Sequence, residues 1–168
     1  MEPMSGYDIK KKIETMAGFF WKESYSQIYP VLKRLNSEGL ITRTIEKQLG
    51  KPDRHIYKLT KEGVDALIEW LLEPVEHHVG RHEILLKLLF GSTVSVADNI
   101  RQVEHFQKIQ EKEFEGLKMI KTRIENGNLS NSRLSYWMMA IRFGELVNEA
   151  LLKWSAESLT LMEKMKDE

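Results

Sequence analysis

Apolar residues fall along this chain in two rhythms, and the change comes near Pro74. Before it, the period switches repeatedly. Ser5 precedes a short helical pattern with Tyr7, Ile9, Ile13 and Met16 among its apolar positions, and Gly18 is placed to end it. After Phe20-Trp21 a second helix is expected, capped by Ser24 or Ser26, whose hydroxyls can accept from free backbone N–H groups. Pro30 limits where that helix begins, because proline is tolerated near a helix start and costs about 3 kcal/mol deep inside. Ile28, Val31, Leu32 and Leu35 supply its apolar face, and Gly39 closes it. The β-branched run over residues 40–45 predicts a strand, residues 48–53 a turn, and residues 55–59 an alternating return strand. Thr60 then caps a third helix over residues 61–72, with Val64, Leu67, Ile68 and Leu71 inward and Pro74 stopping it.

Beyond Pro74 the helical period persists. Residues 83–90 form a short apolar helix, followed by Gly91 and a Ser/Thr cluster. A long helix is expected over residues 96–124, with Ile100, Val103, Phe106, Ile109, Phe114, Leu117, Ile120 and Ile124 spaced mostly by three and four. Asn126-Gly127-Asn128 breaks it, and a second long helix over residues 132–165 carries Leu134, Trp137, Ile141, Val147, Leu151, Trp154, Leu161 and Met165. Two helices of roughly 40 Å each, joined by one short loop, make an antiparallel hairpin. Such a hairpin cannot bury both apolar faces alone, so it needs a partner, either the N-terminal part or a second subunit. The expected division is residues 1–74 and 75–168.

The 168 residues suffice for two small domains. Lys+Arg and Asp+Glu are both 25, so net charge points to no partner, yet between Lys10 and Lys61 basic residues outnumber acidic ones by roughly two to one. That asymmetry suits a polyanion bound by the first part. The absence of cysteine excludes disulfides, thiolate zinc sites and cysteine nucleophiles. No apolar run approaches ~18 residues and the N-terminus lacks a signal-peptide plan, so a soluble cytoplasmic protein with no membrane partner is expected. His77, His78 and His82 beside Glu76 and Glu83 lack the His-Glu-x-x-His pattern and read as a solvated hinge. No metal or cofactor is expected. Without a Gly-x-Ser-x-Gly elbow, a Walker-type phosphate loop or a dinucleotide glycine pattern, no catalytic residue is assigned and the chain is not expected to be an enzyme.

The order helix, helix, strand-turn-strand, helix is the plan of a winged helix-turn-helix. The expected fold class is mostly α with a small β-hairpin: a winged helix-turn-helix domain followed by a helical, coiled-coil-like dimerisation domain. In that plan the second visible helix enters the DNA major groove and the hairpin flanks the backbone. The start of that helix offers Ser24, Tyr25, Ser26, Gln27 and Tyr29, whose hydroxyl and amide groups suit phosphate oxygens or base edges. Lys33 and Arg34 follow one turn on, and the hairpin tip adds Lys47, Lys51, Arg54 and His55. The plainer readings are N-capping for the serines and Gln27, a solvated surface for the charges, and packing with a polar tip for Tyr29 and Tyr57. Further on, Trp137, Met138, Met139, Phe143 and Trp154 suit either an aromatic effector pocket or ordinary core and dimer interface.

Met4-Ser5-Gly6-Tyr7-Asp8-Ile9, the run from Ser24-Tyr25-Ser26-Gln27 through Pro30 to Leu35, Glu38-Gly39-Leu40-Ile41, and Gly50-Lys51-Pro52-Asp53-Arg54-His55-Ile56-Tyr57 together resemble the PadR family of bacterial transcriptional regulators. Leu85-Leu86-Lys87-Leu88-Leu89-Phe90-Gly91 resembles the opening of the helical dimerisation domain in the family's larger members. The resemblance implies a homodimeric repressor on a palindromic double-stranded DNA operator. It also implies release by an aromatic or drug-like small-molecule effector bound at or near the dimer interface. It places recognition-helix contacts on Ser24, Tyr25, Ser26, Gln27, Tyr29 and Lys33, and wing contacts on Lys51 and Arg54. The family sets an apolar helix before the Met4-Ser5-Gly6-Tyr7 segment, whereas Met1-Glu2-Pro3 precedes it here, so that helix is expected to be absent or a stub. The competing expectation is a protein-interaction module on a winged helix that no longer binds DNA; the basic wing and polar recognition helix weigh against it.

Overall fold

A computed structural model describes residues 2–18, 20–21, 24–47, 50, 53–76, 80–127 and 130–166. It forms two units, Met1–His77 and His78–Glu168. In the first, strand β1 (Met4–Ser5) runs straight into helix α1 (Gly6–Ala17). Ser5 is the cap: the Asp8 N–H donates to Ser5 Oγ at 3.2 Å, and the Ser5 N–H donates back to the Asp8 carboxylate at 3.1 Å. Gly18 follows α1 as expected, but with an ordinary right-handed backbone. Helix α2 (Tyr25–Ser37) starts after Ser24, and Pro30 stands about one and a half turns inside it. There it leaves the Ser26 carbonyl without its usual helical donor. Gly39, at φ 74°, closes α2: its N–H donates to the Asn36 carbonyl at 3.2 Å and the Leu40 N–H to the Leu35 carbonyl at 3.0 Å.

Strands β2 (Ile41–Glu46) and β3 (Arg54–Leu59) pair antiparallel from Ile41↔Leu59 to Glu46↔Arg54. The sheet is not the expected two-stranded hairpin. β1 adds to the other edge of β3 through Met4↔Tyr57 and Ser5↔Ile56, giving the order β1-β3-β2. A strand this short leaves no alternation to read. Of the expected turn, Gln48, Leu49, Lys51 and Pro52 lie outside the described residues.

Thr60 caps helix α3 (Lys61–Leu72), accepting from the Gly63 N–H at 3.0 Å and donating to the Leu40 carbonyl at 2.9 Å. A Cβ on Gly63 would stand 2.0 Å from the Leu40 carbonyl oxygen, so the close approach of α3 to the backbone just before β2 requires glycine. The core comprises Ile28, Leu32 and Ile41, surrounded by Ile9, Ile13, Leu35, Tyr57 and Leu59. Val64, Ile68 and Leu71, expected inward, are exposed, as are Val31 and Tyr7. Gly63, Ala66 and Leu67 form the covered stripe of α3 instead, because the close approach of Gly63 to Leu40 and Leu59 sets the helix's rotation.

The second unit holds α4 (Glu83–Leu89), a single 3-10 turn (Gly91–Thr93), and the long helices α5 (Val96–Glu125) and α6 (Asn131–Lys164). Asn99 fastens the turn by donating from Nδ2 to the Gly91 carbonyl at 2.8 Å. The buried seam of α5 runs Val103, Gln110, Leu117, Ile124, and that of α6 runs Ile141, Asn148, Ser155, each repeating every seven residues. A strict seven-residue repeat is the signature of coiled-coil-like packing. Ile109, Val147 and Leu161, expected inward, are exposed, while Gln110, Asn148 and Ser155 are buried. Asn148 Nδ2 donates to the Gly144 carbonyl at 3.0 Å and Ser155 Oγ to the Leu151 carbonyl at 2.9 Å. An edge-to-face pair of Phe106 and Trp154, centroids 5.6 Å apart, and the Lys121–Glu145 ion pair at 2.9 Å join the two helices. No helix among the described residues is long and apolar enough to cross a membrane.

Candidate nucleic-acid interface

Helix α2 is buried along one narrow stripe. Ile28 and Leu32 anchor it in the core, whereas Ser24, Tyr25, Ser26, Gln27, Tyr29, Lys33 and Arg34 are all exposed. The Ser24 N–H and Oγ both donate to Gln27 Oε1, at 2.9 and 2.8 Å, and Ser24 Oγ lies 2.6 Å from Ser26 Oγ. The Gln27 amide oxygen is therefore committed to the cap while its NH2 group remains an available donor. In this state it suits an acceptor edge, such as guanine O6/N7 or thymine O4, better than the donor-and-acceptor pattern of adenine. Arg34 leans toward Glu38 at 3.8 Å, and Lys33 has no acidic partner among the described residues.

Beside this turn three tyrosine rings form a ladder. Tyr7 stacks on Tyr25 and Tyr25 on Tyr29, each pair with centroids 6.3 Å apart and planes within 14° and 21°. The Lys10 ammonium lies 4.5 Å from the Tyr25 ring centroid and also pairs with Glu14. Gly6 seats the last rung: a Cβ there would stand 2.8 Å from the Tyr29 ring. Tyr29 thus combines an exposed position on α2 with a packing contact.

The hairpin residues divide. Arg54 forms an ion pair with Asp8 across the sheet, a partner that no linear spacing signals. Hydrogen bonds from Ser5, then the Arg54 guanidinium, hold the Asp8 carboxyl below the usual aspartate range. His55 is half-buried, and its Nδ1 has no hydrogen-bond partner among the described residues. Lys47 is exposed, and Lys51 lies outside the described residues. Asp8, Tyr29, Asp53, Arg54 and His55 face a common cleft of about 390 Å³. Asp8, Lys10 and Tyr7 are the residues sequence reasoning left out of this surface; the capping-box spacing marks Asp8 only as a helix start.

In the second unit the four effector candidates are spread along α6. Trp137, Met138 and Trp154 are half-buried and Phe143 is exposed. Trp137 and Trp154 stand about 25 Å apart along α6 at 1.5 Å per residue. Trp154 instead lines an apolar pocket of about 220 Å³ with Ile84, Leu85, Phe106, Leu151 and His82. Among the described residues no cluster of acidic and imidazole groups is placed to hold a metal, and His77 and His78 lie outside them.

Residues 1–69 match the transcriptional regulator PadR-like family, and residues 80–163 match the virulence activator alpha C-terminal family. The chain belongs, over its first 69 residues, to the PadR-like family of transcriptional regulators. It is of the larger type, with the virulence-activator C-terminal region following the PadR-like part. It is 39% identical over 94 residues to the negative transcriptional regulator PadR of Bacillus subtilis, an alignment covering 55% of this chain and 51% of that protein. The chain thus spans about half the length of this curated relative. The crystal structure of Bacillus subtilis PadR in complex with operator DNA is similar at TM-score 0.74 and 26% identity, covering 95% of this chain and 91% of that one. The Vibrio cholerae virulence activator AphA is similar at TM-score 0.73 and 26% identity, covering 98% and 92%. The fold of this PadR-like regulator is therefore the expected class: a winged helix, here with a third short strand, and long C-terminal helices.

Proposed function

We propose that this PadR-like regulator is a sequence-specific repressor that binds double-stranded DNA as a cytoplasmic homodimer and is relieved by a flat aromatic small molecule. One observation carries the reading: Ser24, Tyr25, Ser26 and Gln27 at the start of α2 are all exposed and carry polar groups, while Ile28 and Leu32 lock the same helix into the core. A helix so mounted presents Ser24, Tyr25, Ser26, Gln27 and Tyr29 to a groove without moving, with Lys33 and Arg34 toward the backbone. On the wing, Lys47 and Lys51 supply charge. Arg54 serves both the Asp8 latch and the phosphate, since a guanidinium has five N–H donors, and His55 lies beside it.

Similarity to a PadR solved on operator DNA supports the same assignment. Residues 1–74 act as the DNA-binding domain and residues 75–168 as the dimerisation domain. Exposed Leu85, Leu86, Leu89, Phe90, Phe143 and Leu146 in the second unit support a second copy as cover. Two recognition helices about one DNA turn apart then call for a palindromic operator. The Trp154–Phe106 pocket supports an aromatic effector, with Trp137, Met138 and Phe143 acting, in this reading, at the dimer interface.

The test is an electrophoretic shift with DNA from upstream of the gene's own start, repeated between 50 and 200 mM salt. A shift that weakens steeply with salt supports the reading, because phosphate neutralisation releases counterions. No shift, or one indifferent to salt, contradicts it.

A further inference from the structure

The helix preceding the recognition helix also carries a surface that folding leaves unused. Tyr7, Tyr25 and Tyr29 remain 56%, 41% and 45% exposed although they stack on one another. None of their hydroxyls has a hydrogen-bond partner among the described residues. Tyr7, Lys10 and Lys11 stand at i, i+3 and i+4 on α1, so they share one helix face. Lys10 is engaged by Glu14 and by the Tyr25 ring. Lys11 is exposed and has no acidic partner among the described residues. Stacking removes much of the rotamer freedom that such side chains would otherwise lose on binding. The ladder also places the Tyr7 ring against Tyr25, the first residue of α2.

We propose that Tyr7 and Lys11 of α1 contact the DNA backbone, the phenol donating to a phosphate oxygen and the ammonium neutralising a phosphate on the same strand. The inference rests on the DNA-binding reading above and extends the interface from α2 to α1. A free phenol O–H and a free ammonium beside a helix-turn-helix fit phosphate oxygens. They lie on the helix that crosses the backbone in this motif rather than the one that enters the groove. Tyr7 therefore affects all sequences alike, unlike Gln27.

The test uses the full chain and two duplexes followed by fluorescence anisotropy, one enriched from a random pool by the wild type and one scrambled. Tyr7→Phe keeps the ring and removes only the hydroxyl. It is expected to weaken binding to both duplexes by about threefold to tenfold, with the melting temperature unchanged. Lys11→Gln is expected to lower the slope of log affinity against log salt by about one. Parental affinity in Tyr7→Phe, together with a parental slope in Lys11→Gln, overturns the proposal. So does a Tyr7→Phe loss confined to the enriched duplex, which would make Tyr7 a base reader. If Tyr7→Phe binds normally and only Tyr7→Ala weakens binding with a lowered melting temperature, Tyr7 is a packing residue and its contact role fails. A wild type that binds neither duplex refutes the DNA-binding reading itself, an outcome separate from these.

Discussion

Around Ile28, Leu32 and Ile41 the first unit closes its core with short helices and a sheet, whereas around Val103, Leu117 and Ile141 the second closes its core between two long helices. Four corners of the first unit are set by local devices: Ser5 with Asp8, Ser24 with Gln27, left-handed Gly39, Thr60 with Gly63. These devices hold α2 through Ile28 and Leu32 and leave Ser26, Gln27 and Lys33 exposed on it. The second unit has local devices at Ser95 and Asn99, and beyond them a continuous seven-residue seam in which Gln110, Asn148 and Ser155 take buried places. Asn148 and Ser155 sit there by donating to carbonyls of their own helix. The first unit is thus specified by its corners, the second by its length.

The largest way to break that contrast lies in the seam. Leu117 is 1% exposed, and Leu117→Ala is expected to destabilise the second unit by about 2–5 kcal/mol, read as a lowered thermal midpoint of the helical circular-dichroism signal. A loss under about 1 kcal/mol would mean the seam is not the core. Next comes a corner. Gly63→Ala forces α3 off the Leu40 carbonyl and is expected to cost about 1–3 kcal/mol in the first unit. Hydrogen exchange at β2 and β3 amides checks that the loss is local to the sheet.

Ser5→Ala removes the cap of α1 and is expected to cost about 1 kcal/mol. Its partner Asp8 gives the account a pH signature. The folded state lowers the Asp8 pKa, so its stabilisation is complete above the ordinary aspartate value of about 3.9 and fades as pH falls through the lower folded value. Melting temperatures of wild type and Asp8→Asn should therefore converge as the pH falls through that range; a constant gap would contradict the latch. The smallest effect belongs to the surface of α6. Glu149→Gln, which removes an exposed partner of Arg142, is expected to change stability by less than about 0.5 kcal/mol in urea unfolding.

The corners were legible because caps, glycines and prolines act on neighbours in sequence. Ser24, Gly39, Thr60 and the limits of the helices follow from short patterns, and so does the exposure of Ser24, Tyr25, Ser26 and Gln27. What escaped the sequence acts at a distance. β1 is a strand only because β3 lies beside it, and Arg54 meets Asp8 only through that sheet. Counting apolar residues by three and four favoured Ile109 and Val147, because Gln110 and Asn148 do not look like core residues. The covered face of α3 is hidden from such counting for a similar reason: Gly63, with no side chain to count, decides which stripe is packed. The pairing of Trp154 with Phe106 is of the same kind, since it joins two helices that no local spacing relates.

The central claim is that α2 reads DNA with the face its core contacts leave free. The most direct measurement compares wild type and Gln27→Ala on the enriched and scrambled duplexes at fixed salt. The account predicts that Gln27→Ala weakens binding to the enriched duplex by about tenfold or more, leaves binding to the scrambled duplex nearly unchanged, and relaxes preference at one base position. Equal loss on both duplexes, or no loss on either, would contradict it.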